Sequence, residues 1–134
     1  MNGFTTTLDG ITFDQALDKT IQALQTEGFG VLSDIDVQAA MRNKLGVETP
    51  RCRILGACNP LLAHQALQAV PDIGALLPCN VIVREAASGE IVVGFLDPRI
   101  TVDRVGETAV KALAHAAEQR LRRACTSLGG TTSP

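Results

Sequence analysis

Two short runs, Val81-Ile82-Val83 and Ile91-Val92-Val93, constrain this chain more than any other feature. Each is β-branched and apolar, and Ala86-Ala87-Ser88-Gly89 lies between them. A glycine-containing turn flanked by such runs predicts an antiparallel hairpin, with strands over 81–85 and 90–96. Neither run alternates apolar with polar residues, as a strand wet on one side does. Both faces of the hairpin therefore need cover. Helices can supply one side, and a second copy of the subunit is the economical candidate for the other.

Helices to do this are visible in the pattern. Thr12-Phe13-Asp14-Gln15 reads as a helix start, with Thr12 as N-cap and Gln15 completing a capping box. Phe13, Ala16, Leu17, Thr20, Ile21 and Leu24 follow at helical spacing, and Gly28 stops the helix. A strand precedes it at 4–8 and another follows at 29–35. A short helix over 37–45 ends near Gly46. A third strand, 51–56, places Cys52 and Ile54 on one face and Arg51, Arg53 and Leu55 on the other. Asn59 then caps a helix that Pro60 opens and Pro71 ends. After the hairpin, Asp97-Pro98-Arg99 breaks the strand and 101–105 is a connection. A last helix spans 106–124, with Val110, Leu113, Ala114, Ala117 and Leu121 on one stripe.

The order β-α-β-(α)-β-α-β-β-α predicts an α+β fold, an antiparallel sheet with helices packed on one face. At 134 residues one domain is expected, long enough for a core without staples. Its span is 1–125, and the small polar residues 126–134 read as a disordered tail.

Function classes narrow by composition. There is no Trp or Tyr and only four Phe, which speaks against base-stacking platforms for nucleic acid. A net charge of −2 offers no pull toward phosphate backbones or anionic lipid. The first residues lack the basic start and apolar run of a signal peptide. No apolar run approaches the roughly 20 residues that span a bilayer. A cytoplasmic protein with reduced cysteines is expected. Cys52, Cys58, Cys79 and Cys125 contain no CxxC pair, against a zinc knuckle or thioredoxin-like motif. The glycines form no phosphate loop.

The candidate chemistry gathers at two Cys-Asn stretches, Cys58-Asn59-Pro60 and Pro78-Cys79-Asn80. Cys58 stands where a strand meets a helix N-terminus, a place that can lower a thiol's pKa. Helical side chains lean toward the helix N-terminus, so His64 leans back toward Cys58. On a wheel of about 100° per residue, Leu62, Ala63, Ala66, Leu67 and Val70 define the buried arc, and His64 lies on its edge. Three readings follow. Cys58, His64 and Cys79 form a ligand or metal site, for zinc or copper, with Asn59 and Asn80 orienting the loops. Alternatively Cys58 is a nucleophile or redox thiol with His64 as partner. Alternatively these residues only pack and cap, as Cys52 and Cys125 do, and Asp97 only forms a turn.

These same residues carry a resemblance. Glu27-Gly28-Phe29-Gly30-Val31-Leu32-Ser33-Asp34-Ile35-Asp36, Lys44-Leu45-Gly46, Ile54-Leu55-Gly56-Ala57-Cys58-Asn59-Pro60 with Ala63-His64, Leu77-Pro78-Cys79-Asn80-Val81 and Asp97-Pro98 resemble the bacterial and archaeal domain of unknown function 302 family. The likeness runs from about Phe13 to Ala124. It implies a small α+β domain of helices on an antiparallel sheet, commonly a homodimer. It implies no activity. It marks Cys58, Asn59, Pro60, His64, Pro78, Cys79 and Asn80 as positions of the family pattern.

Overall fold

The structure, a computed structural model, describes residues 2–102 and 106–133. It is built from β1 (Gly3–Leu8), α1 (Phe13–Thr26), β2 (Gly30–Asp36), α2 (Val37–Leu45), β3 (Cys52–Cys58) and α3 (Pro60–Ala69). A 3₁₀ turn (Pro71–Leu76), β4 (Cys79–Glu85), β5 (Ile91–Leu96), α4 (Pro98–Val102), α5 (Thr108–Ser127) and β6 (Thr131–Ser133) follow. The strands form one sheet in the order β2-β3-β4-β5-β1-β6, antiparallel at every pairing. This is the α+β architecture that the hydrophobic patterning predicts.

Local chemistry explains the best-defined helix. The Thr12 hydroxyl accepts from Gln15 N and the Gln15 side chain accepts from Thr12 N, each at 3.1 Å. Two otherwise orphaned donors are thereby satisfied. Phe13, Ala16, Leu17, Thr20 and Leu24 are buried along one face. At the other end Gly28 takes φ +86°, a left-handed turn that glycine adopts without strain.

The predicted hairpin forms, with Val83 opposite Val93 and Val81 opposite Phe95. Its pleat decides burial. Val81, Val83, Ile91, Val93 and Phe95 face α1 and α5 in the main core, with Leu55, Ala57 and Leu121. The out-of-phase residues Ile82, Val92 and Leu96 are half-buried. They share the opposite sheet face with Ile54 and Ile35, the latter 51% exposed. α1 and α5 thus cover one face of the sheet, and an apolar row remains on the other.

Four local expectations change. β3 continues through Cys58 instead of ending at Gly56, because its pairing with β4 extends to Ala57–Cys79 and its pairing with β2 to Cys58. A short helix, α4, occupies part of the predicted connection, and 103–105 lie outside the described residues. α5 starts at Thr108 and runs on to Ser127. Of the tail 126–134, expected to be disordered, residues 126–127 finish α5 and 131–133 add β6 beside β1, with Thr6 opposite Thr132. The free edge of β1 supplies unpaired backbone groups for that strand. Gly130 allows the approach, since a Cβ there would overlap the Thr7 carbonyl oxygen.

Candidate functional site

A second, smaller apolar cluster lies off the sheet. Ala66 of α3, Ile73 of the 3₁₀ turn, Val102 of α4 and Val110 and Ala114 of α5 form it. Where it meets the main core the packing leaves a half-open cavity, with about 60 Å³ available to the centre of a water-sized sphere. Small residues make the space: Ala63 and Ala66 on α3 face Ala114 and Ala117 on α5. Helices that meet through alanines leave room that leucines would fill.

The end of β3 and the start of β4 border the cavity, where Phe29, Ala57, Cys58, Asn59 and Cys79 line it. Asn59 is buried, 8% exposed, and its Oδ1 accepts from Leu62 N at 3.2 Å, capping α3 as Asn-Pro predicts. Thr101 Oγ1 donates to Pro98 O at 2.9 Å, so it is already satisfied. The remaining polar groups of the wall are the Asn59 amide nitrogen and the two thiols. Burial pushes the Cys79 thiol up to about 11, and the nearby Cys58 adds to the shift. Burial also raises the Cys58 thiol. Neither is poised as a thiolate at neutral pH, which reverses the lowering expected from the α3 N-terminus. Desolvation of the charged form outweighs the helix dipole here.

Of the five residues predicted for the site, the structure brings three together, Cys58, Asn59 and Cys79. His64 is exposed on α3 and outside the lining. The predicted buried arc of that helix is too wide: Leu67 is exposed, and α3 packs chiefly against α5 and the 3₁₀ turn, a narrow face. Asn80 is exposed on the sheet face opposite Val81 and Val83. Among the described residues no group of three or more His, Cys, Asp or Glu side chains is placed to hold a metal ion. The zinc or copper triad of Cys58, His64 and Cys79 therefore does not assemble.

Sequence reasoning misses the α4 wall, Pro98, Thr101 and Val102. An ionic strap fastens it. Asp97 accepts from Arg99 N at 3.0 Å, the turn-forming role predicted for it, and pairs with the Arg99 guanidinium at 2.8 Å. Burial acts to raise the Asp97 pKa, but the hydrogen bonds and charge of Arg99 outweigh it and hold the carboxyl below its usual range. Arg99 also lies 3.9 Å from the buried Glu118 of α5, which pairs with Arg122. The signal for this wall, Asp97-Pro98-Arg99, reads locally as a turn and nothing more.

Among the described residues no helix is long and apolar enough to cross a membrane. Comparison with known proteins gives the same fold and no activity. An uncharacterized protein of Aquifex aeolicus (strain VF5) is 26% identical over 90 residues, 67% of this chain. The match covers 56% of that protein, so the chain spans little more than half the length of the curated relative it matches. The crystal structure of an uncharacterized conserved DUF302 protein from Bacillus stearothermophilus superposes with a TM-score of 0.84. It is 27% identical, with 94% of this chain and 97% of that one covered. The family model described as domain of unknown function DUF302 matches residues 4–128, and with nearly the whole fold inside that match, this chain belongs to the DUF302 family.

Proposed function

We propose that the domain binds a small, predominantly apolar ligand in the cavity between α3 and α5. The observation that supports this is the lining: aliphatic, alanine, proline and phenylalanine side chains, two protonated thiols, one threonine hydroxyl, one amide and no charged group. Ligand sites are commonly apolar clefts with a few placed polar groups, and a neutral thiol behaves as a small apolar group. The alternative, a thiol enzyme with Cys58 as nucleophile and His64 as base, has less support. Its thiol is raised, and its histidine lies outside the lining. Titration with N-phenyl-1-naphthylamine, an uncharged dye that brightens in apolar surroundings, tests the reading. Saturable binding is expected, weakened at least about tenfold by Ala114→Leu, whose added volume enters the cavity. Dye binding that is absent, or unchanged in a folded Ala114→Leu protein, would overturn it.

We also infer a homodimer formed through the open sheet face, the cover that the doubly apolar hairpin requires. Ile35, Ile54, Ile82, Val92 and Leu96 give that face its apolar row, and burying such a row against a second copy is favourable at roughly 25 cal/mol per Å². Light scattering is expected to give twice the chain mass for the native protein and the single-chain mass for Ile82→Glu. A monomeric native protein at micromolar concentration rules the dimer out.

A further inference from the structure

Two hydrogen-bond donors without a protein acceptor among the described residues lie at the edge of the cavity: Asn59, which lines it, and Arg120, which stands just outside the lining. Asn59 Oδ1 is used by the α3 cap, but Asn59 Nδ2 donates to nothing among the described residues, although the residue is more than nine-tenths buried. The nitrogen is not one of the fully enclosed orphaned atoms, which among the described residues are Thr6 Oγ1 and Thr49 Oγ1, so it keeps an opening through which an acceptor can reach it. Its direction is given by Gly28. A methyl group placed at Gly28 would lie 3.0 Å from Asn59 Nδ2 and 3.4 Å from Arg120 Nη1. The amide and the guanidinium thus flank one small gap that glycine leaves open. Arg120 follows Ala117 by one helical step of three on α5, so it continues the stripe Val110, Leu113, Ala114, Ala117 that lines the cavity. Arg120 is half-buried and forms no ion pair among the described residues. The carboxylate next along the chain, Glu27, is already engaged by Arg123 at 2.8 Å. A cation and an amide N–H₂ together suit an oxyanion, and charge-assisted bonds of this kind are about twice as strong as neutral ones.

We propose that the ligand is a carboxylate with an apolar tail. The tail lies in the cavity between α3 and α5, and the carboxylate accepts from Asn59 Nδ2 and Arg120 at the gap beside Gly28. This rests on the cavity reading above and adds a head group to it. Calorimetric titrations of the full chain with octanoate and with 1-octanol test the two parts separately. Octanol reports the cavity, and the octanoate-to-octanol affinity ratio reports the head-group site. Arg120→Met keeps the aliphatic stem and removes the charge. Asn59→Asp keeps the helix cap, since Asp caps as well as Asn, and sets the protein's own carboxylate against Arg120. Each variant is expected to lower the ratio at least about tenfold. A ratio unchanged in both variants overturns the carboxylate site and leaves the cavity reading standing. Failure of the native protein to bind octanoate, octanol and the naphthylamine dye overturns both.

Discussion

Cys58-Asn59 closes β3 and opens α3, whereas Cys79-Asn80 lies wholly at the start of β4. The two pairs share a sequence and differ in pleat phase. Along β3, Leu55 and Ala57 face the core, so the next residue of that parity is Asn59, which is buried. Along β4, Val81 and Val83 face the core, so the inward residue of the pair is Cys79 and Asn80 faces out. One pair gives the cavity an amide and the other gives it a thiol. Cys58 reaches the lining because its strand ends there and the chain turns into α3. The same dipeptide carries different chemistry because a side chain's role in a strand is set by register, and a one-residue change of phase exchanges the two faces.

Thiol reactivity is the largest expected separation between the pairs. With its pKa raised from 9.0 to about 11, Cys79 has roughly 100-fold less thiolate at neutral pH than a cysteine at its ordinary value. Alkylation followed by peptide mapping is expected to label Cys79 at about one-hundredth the rate of a free thiol, and Cys58 faster than Cys79. Labelling of Cys79 at least as fast as Cys58 would erase the difference. Labelling of Cys58 faster than free cysteine would revive the nucleophile reading. Stability carries the same signature. Above the ordinary thiol range the unfolded chain loses the Cys79 proton while the folded chain keeps it up to about 11. The folded state then binds more protons, so stability falls as pH rises through that window. A Cys79→Ala protein is expected to lose this part of the decline.

The features legible in the sequence are those settled within a few residues. The Thr12–Gln15 box, the Asn59-Pro60 cap and the 81–96 hairpin depend on neighbours in the chain, and each forms. The inward stripe of α5 is likewise a matter of spacing. Features requiring a distant partner are not legible. β6 exists because β1 has an open edge, and no pattern in 131–133 announces that edge. The cavity exists because alanines from α3 and α5 meet across it, and helical spacing alone does not say which helices face each other. His64 illustrates the limit well. The wheel places it at the border of an apolar arc, but α5 and the 3₁₀ turn decide how much of that arc is covered, and their reach stops short of it. Asn80 is different, since its parity against Val81 and Val83 already sends it outward. The repeated Cys-Asn draws attention to shared chemistry and away from that alternation.

The asparagines give the smaller, sharper contrast. Asn59 Oδ1 satisfies Leu62 N at the head of a ten-residue helix, and removing such a cap costs about 1 kcal/mol, within a range of 0.5–2. Asn80 is exposed at the start of β4, and its side chain makes no hydrogen bond among the described residues. A surface change of that kind stays within about 0.5 kcal/mol. Urea unfolding of Asn59→Ala and Asn80→Ala is therefore expected to lower the midpoint in the first and leave it nearly fixed in the second, with the same slope in both. Asn59→Asp supplies the control. It retains an oxygen acceptor at the cap, so its midpoint is expected near the native value even as it removes the amide donor at Gly28. Equal losses in Asn59→Ala and Asn59→Asp would mean that Nδ2, not the cap oxygen, carries the stabilising contact. Asn59 would then be bonded within the fold instead of held open toward the cavity.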